Sequence, residues 1–177
     1  MPTATAIPVE EYLRTCYEPD AEYVDGCLVE RNVGEWSHSL LQGLITTSLG
    51  ARGGGRFRVF PELRIRVSNE PRYRIPDICV VPLSHPYERV LTRPPHLAIE
   101  ILSPDDEVPD VLAKVGEYLE MGIPHVWFVD PYHRRVSAAD SRGVHERADC
   151  VVETDLVGAE DFRSLFAPLD QAIRQGN

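Results

Sequence analysis

Two acids stand where the pattern of the chain asks for apolar residues. In HLAIEILSPDD (96–106) Glu100 interrupts a run that otherwise reads as a buried strand, and in RIPDICVV (74–81) Asp77 is followed at once by an apolar run. A carboxylate in the middle of an apolar strand is costly to bury unless something meets its charge. Folding residues 57–81 as a hairpin about Asn69 and Glu70 sets Glu62 opposite Asp77, and side chains directly opposed on two strands lie about 5 Å apart on one face. A third strand containing Glu100, paired beside Asp77, would bring a further carboxylate to the same place. Carboxylates so grouped repel one another unless a cation lies between them. Oxygen ligands alone suit Mg²⁺, with Mn²⁺ as a substitute. Each acid also has a plain alternative. Asp77 after Pro76 could bond to amides at a strand start, and Glu62 could pair with any of the arginines around it.

Basic residues supply the second part of the pattern. Of the 18 basic side chains all but Lys114 are arginine. A chain that uses guanidinium wherever a solvated cation will do has one compact ammonium with a tunable pKa. The alternative is a lysine at the edge of an amphipathic stripe. Seven arginines against two acids fall between Arg52 and Arg74. Among them Arg64, Arg66, Arg72 and Arg74 flank the hairpin turn, either as a solvated face or as a ribbon facing phosphates. His38 lies on a candidate helix and suits a structural or solvent-facing role as readily as a functional one.

These residues need a scaffold that holds strands side by side. The segment 8–16 reads as a short amphipathic helix, and 21–31 as a hairpin about Asp25-Gly26, a dipeptide favoured in tight turns. Residues 35–49 space Leu40, Leu41, Leu44, Ile45 and Leu49 as a helix, ended by glycines 53–55. Strands are expected over 57–67, 73–81, 96–103 and 123–130, the third of them central because it is apolar on both faces. Between the last two, Val108, Val111, Leu112, Val115 and Leu119 follow helical spacing up to Gly122, with Val111, Leu112 and Val115 expected to face inward. A crossover carrying a helix implies that its two strands are parallel. Further, more peripheral strands are expected up to residue 153, and a short closing helix over 161–169. The expected fold class is therefore α/β, with a mixed sheet flanked by helices.

With 177 residues, 43% apolar content and no break in composition, the chain is expected to form one domain over 1–177. No apolar stretch is long enough to span a bilayer, and no membrane partner is expected. The start MPTATAIPVEEYL lacks the pattern of a secretory signal, so the cytoplasm is the expected location. Cys16, Cys27, Cys79 and Cys150 are too scattered for a metal knuckle and read as free thiols. A net charge of −10 argues against a general nucleic-acid binder.

Four ordered motifs, RIPD (74–77), AIEILSPDD (98–106), Lys114 with Tyr118, and GIPHVWFVDP (122–131), resemble those of the Uma-type restriction endonucleases, a branch of the PD-(D/E)XK nuclease superfamily. The resemblance spans roughly residues 8–170. It implies a restriction-endonuclease-like core, a mixed sheet flanked by helices, and a Mg²⁺-dependent endonuclease acting on nucleic acid, in the first place DNA. Asp77 matches the aspartate of the PD motif, and Glu100 the acid of the third strand. The superfamily places a lysine two residues later, where this chain has Leu102. In this branch the lysine sits on the following helix, where Lys114 stands. Glu62 and His38 fall where such sequences often carry polar residues, Glu62 as a third ligand or water contact. A homodimer is the expected assembly. The rival expectation is a nuclease fold kept as a binding or interaction module without hydrolysis, which the displaced lysine and the negative net charge favour.

Overall fold

The computed structural model describes residues 6–31 and 34–176. Helix α1 (Val9–Arg14) leads to strands β1 (Ala21–Val24) and β2 (Cys27–Glu30). These pair through a two-residue turn in which Asp25 and Gly26 both take positive φ, 51° and 85°, as the twist of a tight hairpin requires. Helix α2 (Trp36–Gly53) stops where Gly54 turns left-handed. Strands β3 (Phe57–Pro61), β4 (Ile65–Arg66), β5 (Tyr73–Arg74), β6 (Ile78–Pro82) and β7 (Leu97–Ile101) follow. Helix α3 (Val108–Met121) has a proline in its first turn and ends at Gly122 in the left-handed region. Strands β8 (His125–Asp130), β9 (Arg135–Asp140), β10 (Gly143–Glu146), β11 (Val151–Thr154) and β12 (Gly158–Asp161) precede helix α4 (Phe162–Gly176).

The large sheet has six strands in the order β10-β9-β8-β7-β6-β3. Its one parallel pair is β7–β8, the pair joined by α3 as a crossover, and its other pairs are antiparallel. A second sheet runs β2-β1-β5-β4, and β11 pairs with β12 alone. The fold is thus mixed α and β, with helices against a central mixed sheet.

The hairpin between residues 57 and 81 keeps a single register from end to end, since Pro61 pairs with Ile78 and Ile65 with Arg74. Its arms are not continuous strands, however. Each splits in two, so that β3 and β6 belong to the large sheet and β4 and β5 to the small one. The break falls at Glu62, whose φ of 52° is left-handed, and at Pro76, which has no N–H to give to a ladder. Beyond it the tip turns to β1 and packs Tyr73 against Tyr12 and Tyr23.

Alternation along β6 and β7 divides the core. Leu97, Ile99 and Ile101 face α2 and α4, meeting Leu41, Ile45, Leu49 and Phe162. Ala98, Cys79 and Val81 face α3, meeting Val115 and Tyr118. Leu41, Ile45 and Leu49 are fully buried, and burying each side chain of this size contributes about 1.5–3 kcal/mol. Of the α3 residues expected to face inward, Val115 is buried and Val111 half-buried, but Leu112 is 44% exposed. Tyr118 takes the inward position instead. The closing helix is longer than expected because Pro168, which reads as a stop, lies within it.

Candidate active site

The site begins with register. Ile78 pairs with Ile99 and Cys79 with Ala98, so one step further sets Asp77 across from Glu100. Both side chains fall on the face of the sheet that α3 covers, and both are buried. They line a cleft of about 410 Å³ together with Glu22, Arg31, His38 and Lys114.

Asp77 is held from several directions. Its Oδ2 accepts the Ile101 N–H at 2.7 Å and lies 3.2 Å from His38 Nε2. Its Oδ1 accepts Arg31 Nη2 at 2.6 Å. Gln42 Nε2 donates to its backbone oxygen at 3.1 Å. His38 reaches Asp77 from the first turn of α2, on the opposite side of the sheet from α3. Burial works against the charged imidazole, but the hydrogen bond and charge of Asp77 outweigh it and raise His38 above its ordinary range.

Glu100 has a different environment. Tyr118, near the C-terminal end of α3, donates its hydroxyl to Oε1 at 2.5 Å. Burial is the main force on this carboxyl and pushes it up to about 7, with the charges of Asp77 and Glu22 adding to the rise and Lys114 opposing it. Lys114, one turn before Tyr118, points its Nζ to Glu22 Oε1 at 3.5 Å. Burial disfavours its ammonium, yet Glu100 and Glu22 more than compensate, so Lys114 is raised and stays charged.

Glu62 lies where the register puts it, opposite Asp77, and its N–H donates to the Asp77 carbonyl at 3.1 Å. The left-handed backbone turns its side chain outward. That side chain is 48% exposed and meets the site through Arg31, 3.6 Å away.

The arginines of the hairpin expected to face phosphates have partners within the chain. Arg74, expected to contact nucleic acid, is 8% exposed. It bonds Glu22 at 2.7 Å and Glu117 at 2.6 and 2.9 Å. Arg72 is shared between Glu117 and Asp25. Arg66 donates to the backbone oxygens of Ser68 and Asn69, and Arg64 stacks over the Tyr12 ring at 4.3 Å. Their first task is internal: buried and half-buried acids need partners, and a guanidinium satisfies two at once.

Two residues of the cleft, Glu22 and Arg31, escaped the sequence reading, and Tyr118 behind it was named there only as part of a motif. Glu22, 1% exposed in β1, carries the signal that marked Glu100, a carboxylate inside an apolar strand. Tyr118 was legible as a helical residue, but its reach to Glu100 depends on which face of α3 turns inward. Arg31 follows β2 in a different sheet from Asp77, and no local pattern links them.

The donor set is all oxygen at Asp77 and Glu100, and the raised Glu100 carboxyl is that of a buried acid short of positive charge. These features fit a hard divalent ion.

The sequence model of the family described as "Putative restriction endonuclease" (Uma2) matches residues 9–166. No curated protein matches the chain. A solved structure from Anabaena variabilis ATCC 29413, described as a putative nuclease belonging to DUF820, superposes with a TM-score of 0.77 at 22% identity. The match covers 91% of this chain and 98% of that one. At this identity the likeness establishes a shared fold.

Proposed function

The chain belongs to the Uma2 family described as "Putative restriction endonuclease", and from that premise we propose that it is a Mg²⁺-dependent endonuclease that hydrolyses phosphodiester bonds, in the first place of DNA. The observation that carries the reading is the pairing of Asp77 and Glu100 on adjacent strands, with Lys114 and Tyr118 set over them by α3.

Asp77 and Glu100 would hold Mg²⁺, or Mn²⁺ in its place, while Glu62 meets the site through its ion pair with Arg31. When bound, such an ion polarises a phosphate oxygen and makes a water more acidic. The remaining work falls to side chains of the chain. Lys114 is kept protonated by its acidic neighbours, so it acts as a donor rather than a base. It would steady the negative charge that grows on the phosphorus oxygens as water adds and the bond to the leaving oxygen breaks. Tyr118 fixes the Glu100 carboxylate, and Arg31 and His38 fix that of Asp77. The three hold both acids in one arrangement before substrate arrives, which is the condition for a preorganised site. A homodimer would bring two clefts to one duplex, and sedimentation tests it.

One observation favours the rival, a binding module without hydrolysis. Both oxygens of Asp77 already accept bonds from Arg31 and the Ile101 amide. Under that reading the cations of the cleft replace a metal instead of accompanying one.

Cleavage of mixed single- and double-stranded DNA and RNA, with and without Mg²⁺ or Mn²⁺, separates the two. The enzyme reading expects metal-dependent cuts that Glu100→Gln abolishes. Nucleic-acid binding with no cleavage under any metal would sink it in favour of the module.

A further inference from the structure

A second cluster lies at the far end of β7, four residues from Glu100 and so about 13 Å along the strand. His96 immediately precedes β7 and His125 opens β8. The parallel register, Leu97 with His125, sets the two imidazoles together at the start of adjacent strands, their ring centroids 5.0 Å apart. Asp155, in the turn between β11 and β12, comes down over both. Its Oδ1 lies 3.4 Å from His96 Nε2 and 3.9 Å from His125 Nε2. Ligand atoms from all three residues fall within 4.8 Å of one another.

We propose that His96, His125 and Asp155 form a binding site for a borderline transition-metal cation of the Zn²⁺ class, which ties the β11–β12 turn to the edge of the parallel strand pair. Tetrahedral Zn²⁺ with bonds of roughly 2.0–2.1 Å requires donor atoms about 3.3 Å apart. The separations of 3.4 and 3.9 Å are close to that spacing. Asp155 is the ligand with freedom to adjust, since its side chain is 87% exposed. Two imidazoles and one carboxylate select Zn²⁺, Ni²⁺ or Cu²⁺ over Mg²⁺, which takes oxygen ligands and keeps its waters. The chemistry therefore differs from that of the Asp77–Glu100 cleft.

The surroundings fix the His96 backbone and the turn that carries Asp155, and a cation at His96 Nε2 would replace the hydrogen bond that atom now makes with Thr154. The His96 backbone is fixed by its N–H bond to Val80 O at 2.9 Å. Thr154 Oγ1 lies 2.9 Å from His96 Nε2 and accepts the Val157 N–H at 3.1 Å, which holds the turn and places a fourth polar atom beside the imidazole. Three protein ligands leave a fourth position for water, the count of an open site.

Calorimetric titration of the untagged chain with ZnCl₂ tests the site. Every sample carries Cys16→Ser, which removes the exposed thiol, and Glu100→Gln, which removes the acid of the other cleft. The expected result is saturable binding of one Zn²⁺ per chain. Loss of an outer hydrogen bond to a ligand already costs roughly 10–100-fold in affinity, so His125→Ala is expected to weaken binding about 100-fold or more, and Asp155→Ala about tenfold. Asp155→Ala alters only an exposed side chain, so the test survives if His125→Ala misfolds. No saturable binding, or binding that both substitutions leave unchanged, overturns the site and reduces the cluster to an ion pair and hydrogen bonds. Binding that appears only when Glu100 is restored places the ion in the other cleft and overturns it equally. None of these results bears on cleavage, which is read in the absence of Zn²⁺.

Discussion

Glu100 combines deep burial with one strong hydrogen bond and a shortage of positive charge, and its titration follows from that. In the unfolded chain its carboxyl loses its proton near 4.5, whereas in the metal-free folded protein it does so near 7. Between those values the folded state holds a proton that the unfolded state has released, so this group's contribution to stability falls as pH rises through the window. The full difference is on the order of 3 kcal/mol. Glu100→Gln keeps the shape, removes the titration and is expected to melt higher than the native protein at pH 7.5 without metal, with the gap closing at pH 4.5. A native protein whose melting temperature shows the same pH dependence as the variant would refute the assignment. Lys114 poses the complementary case. It lies in the same cleft but bonds Glu22 rather than the acids that would hold metal. Lys114→Ala is expected to leave Mg²⁺ affinity largely intact and lower turnover by roughly 10²–10³, as loss of a single charge-stabilising donor does. Lys114→Arg should rescue little, because a planar fork does not replace a compact ammonium. Single-turnover cleavage beside a Mg²⁺ titration checks both, and native rates in both variants would make Lys114 a surface residue.

Secondary elements were legible where one local signal decided them, and less so where two sheets compete for one segment. The Asp25-Gly26 hairpin, the β7–α3–β8 crossover and the placement of Glu62 opposite Asp77 follow from turn chemistry, periodicity and register, whereas the register that sets Glu100 across from Asp77 is seen only in the structure. The split of the long hairpin was hidden, because its apolar alternation runs on through the break. What breaks it is a left-handed Glu62, a conformation that nothing in PELR announces. Arg31 and Glu22 were missed for a related reason: they reach the cleft from the small sheet, and pairing between sheets leaves no periodic trace. The arginine surplus could not be apportioned from sequence, because counting charges does not reveal that Glu22 and Glu117 take internal partners. Glu62 itself permits a test at this scale. A residue with a Cβ in the left-handed region costs about 1–2 kcal/mol, and glycine gives part of that back through its looser unfolded chain. Glu62→Gly and Glu62→Ala both lose the contact with Arg31, so their difference isolates the backbone. Glu62→Gly is expected to be the more stable by about 1 kcal/mol in urea unfolding. Equal midpoints would show that the bend is set elsewhere, by Pro76 or by the tyrosine cluster.

At the scale of the molecule, charge sets the terms on which nucleic acid could approach. The net charge is −10, and Arg52, Arg72 and Arg74 of the arginine-rich stretch are paired with acids of the chain itself. No helix among the described residues is long and apolar enough to cross a membrane. A phosphate backbone meets that repulsion only once it is within about 10 Å at 0.1 M salt, since beyond that distance the field is screened. On the proposed reading, close approach then depends on cations inside the cleft itself: Lys114, Arg31 and a bound divalent ion. Such an ion would enter the stability of the protein as well as its chemistry, since an ion that binds the folded state alone stabilises it by mass action. At an ion concentration one hundred times the dissociation constant the gain is about 2.7 kcal/mol. For a chain of 177 residues, each kcal/mol raises the melting temperature by roughly 2–4 °C, so saturating Mg²⁺ is expected to raise it by about 5–11 °C. The rise should be absent in Glu100→Gln and in Asp77→Asn, and retained in Lys114→Ala and Asp155→Ala. Differential scanning calorimetry with and without Mg²⁺ on this set reads it directly. A native protein that Mg²⁺ and Mn²⁺ leave unmoved would mean that Arg31, His38 and Lys114 already neutralise the acids, and would favour the binding module over the enzyme.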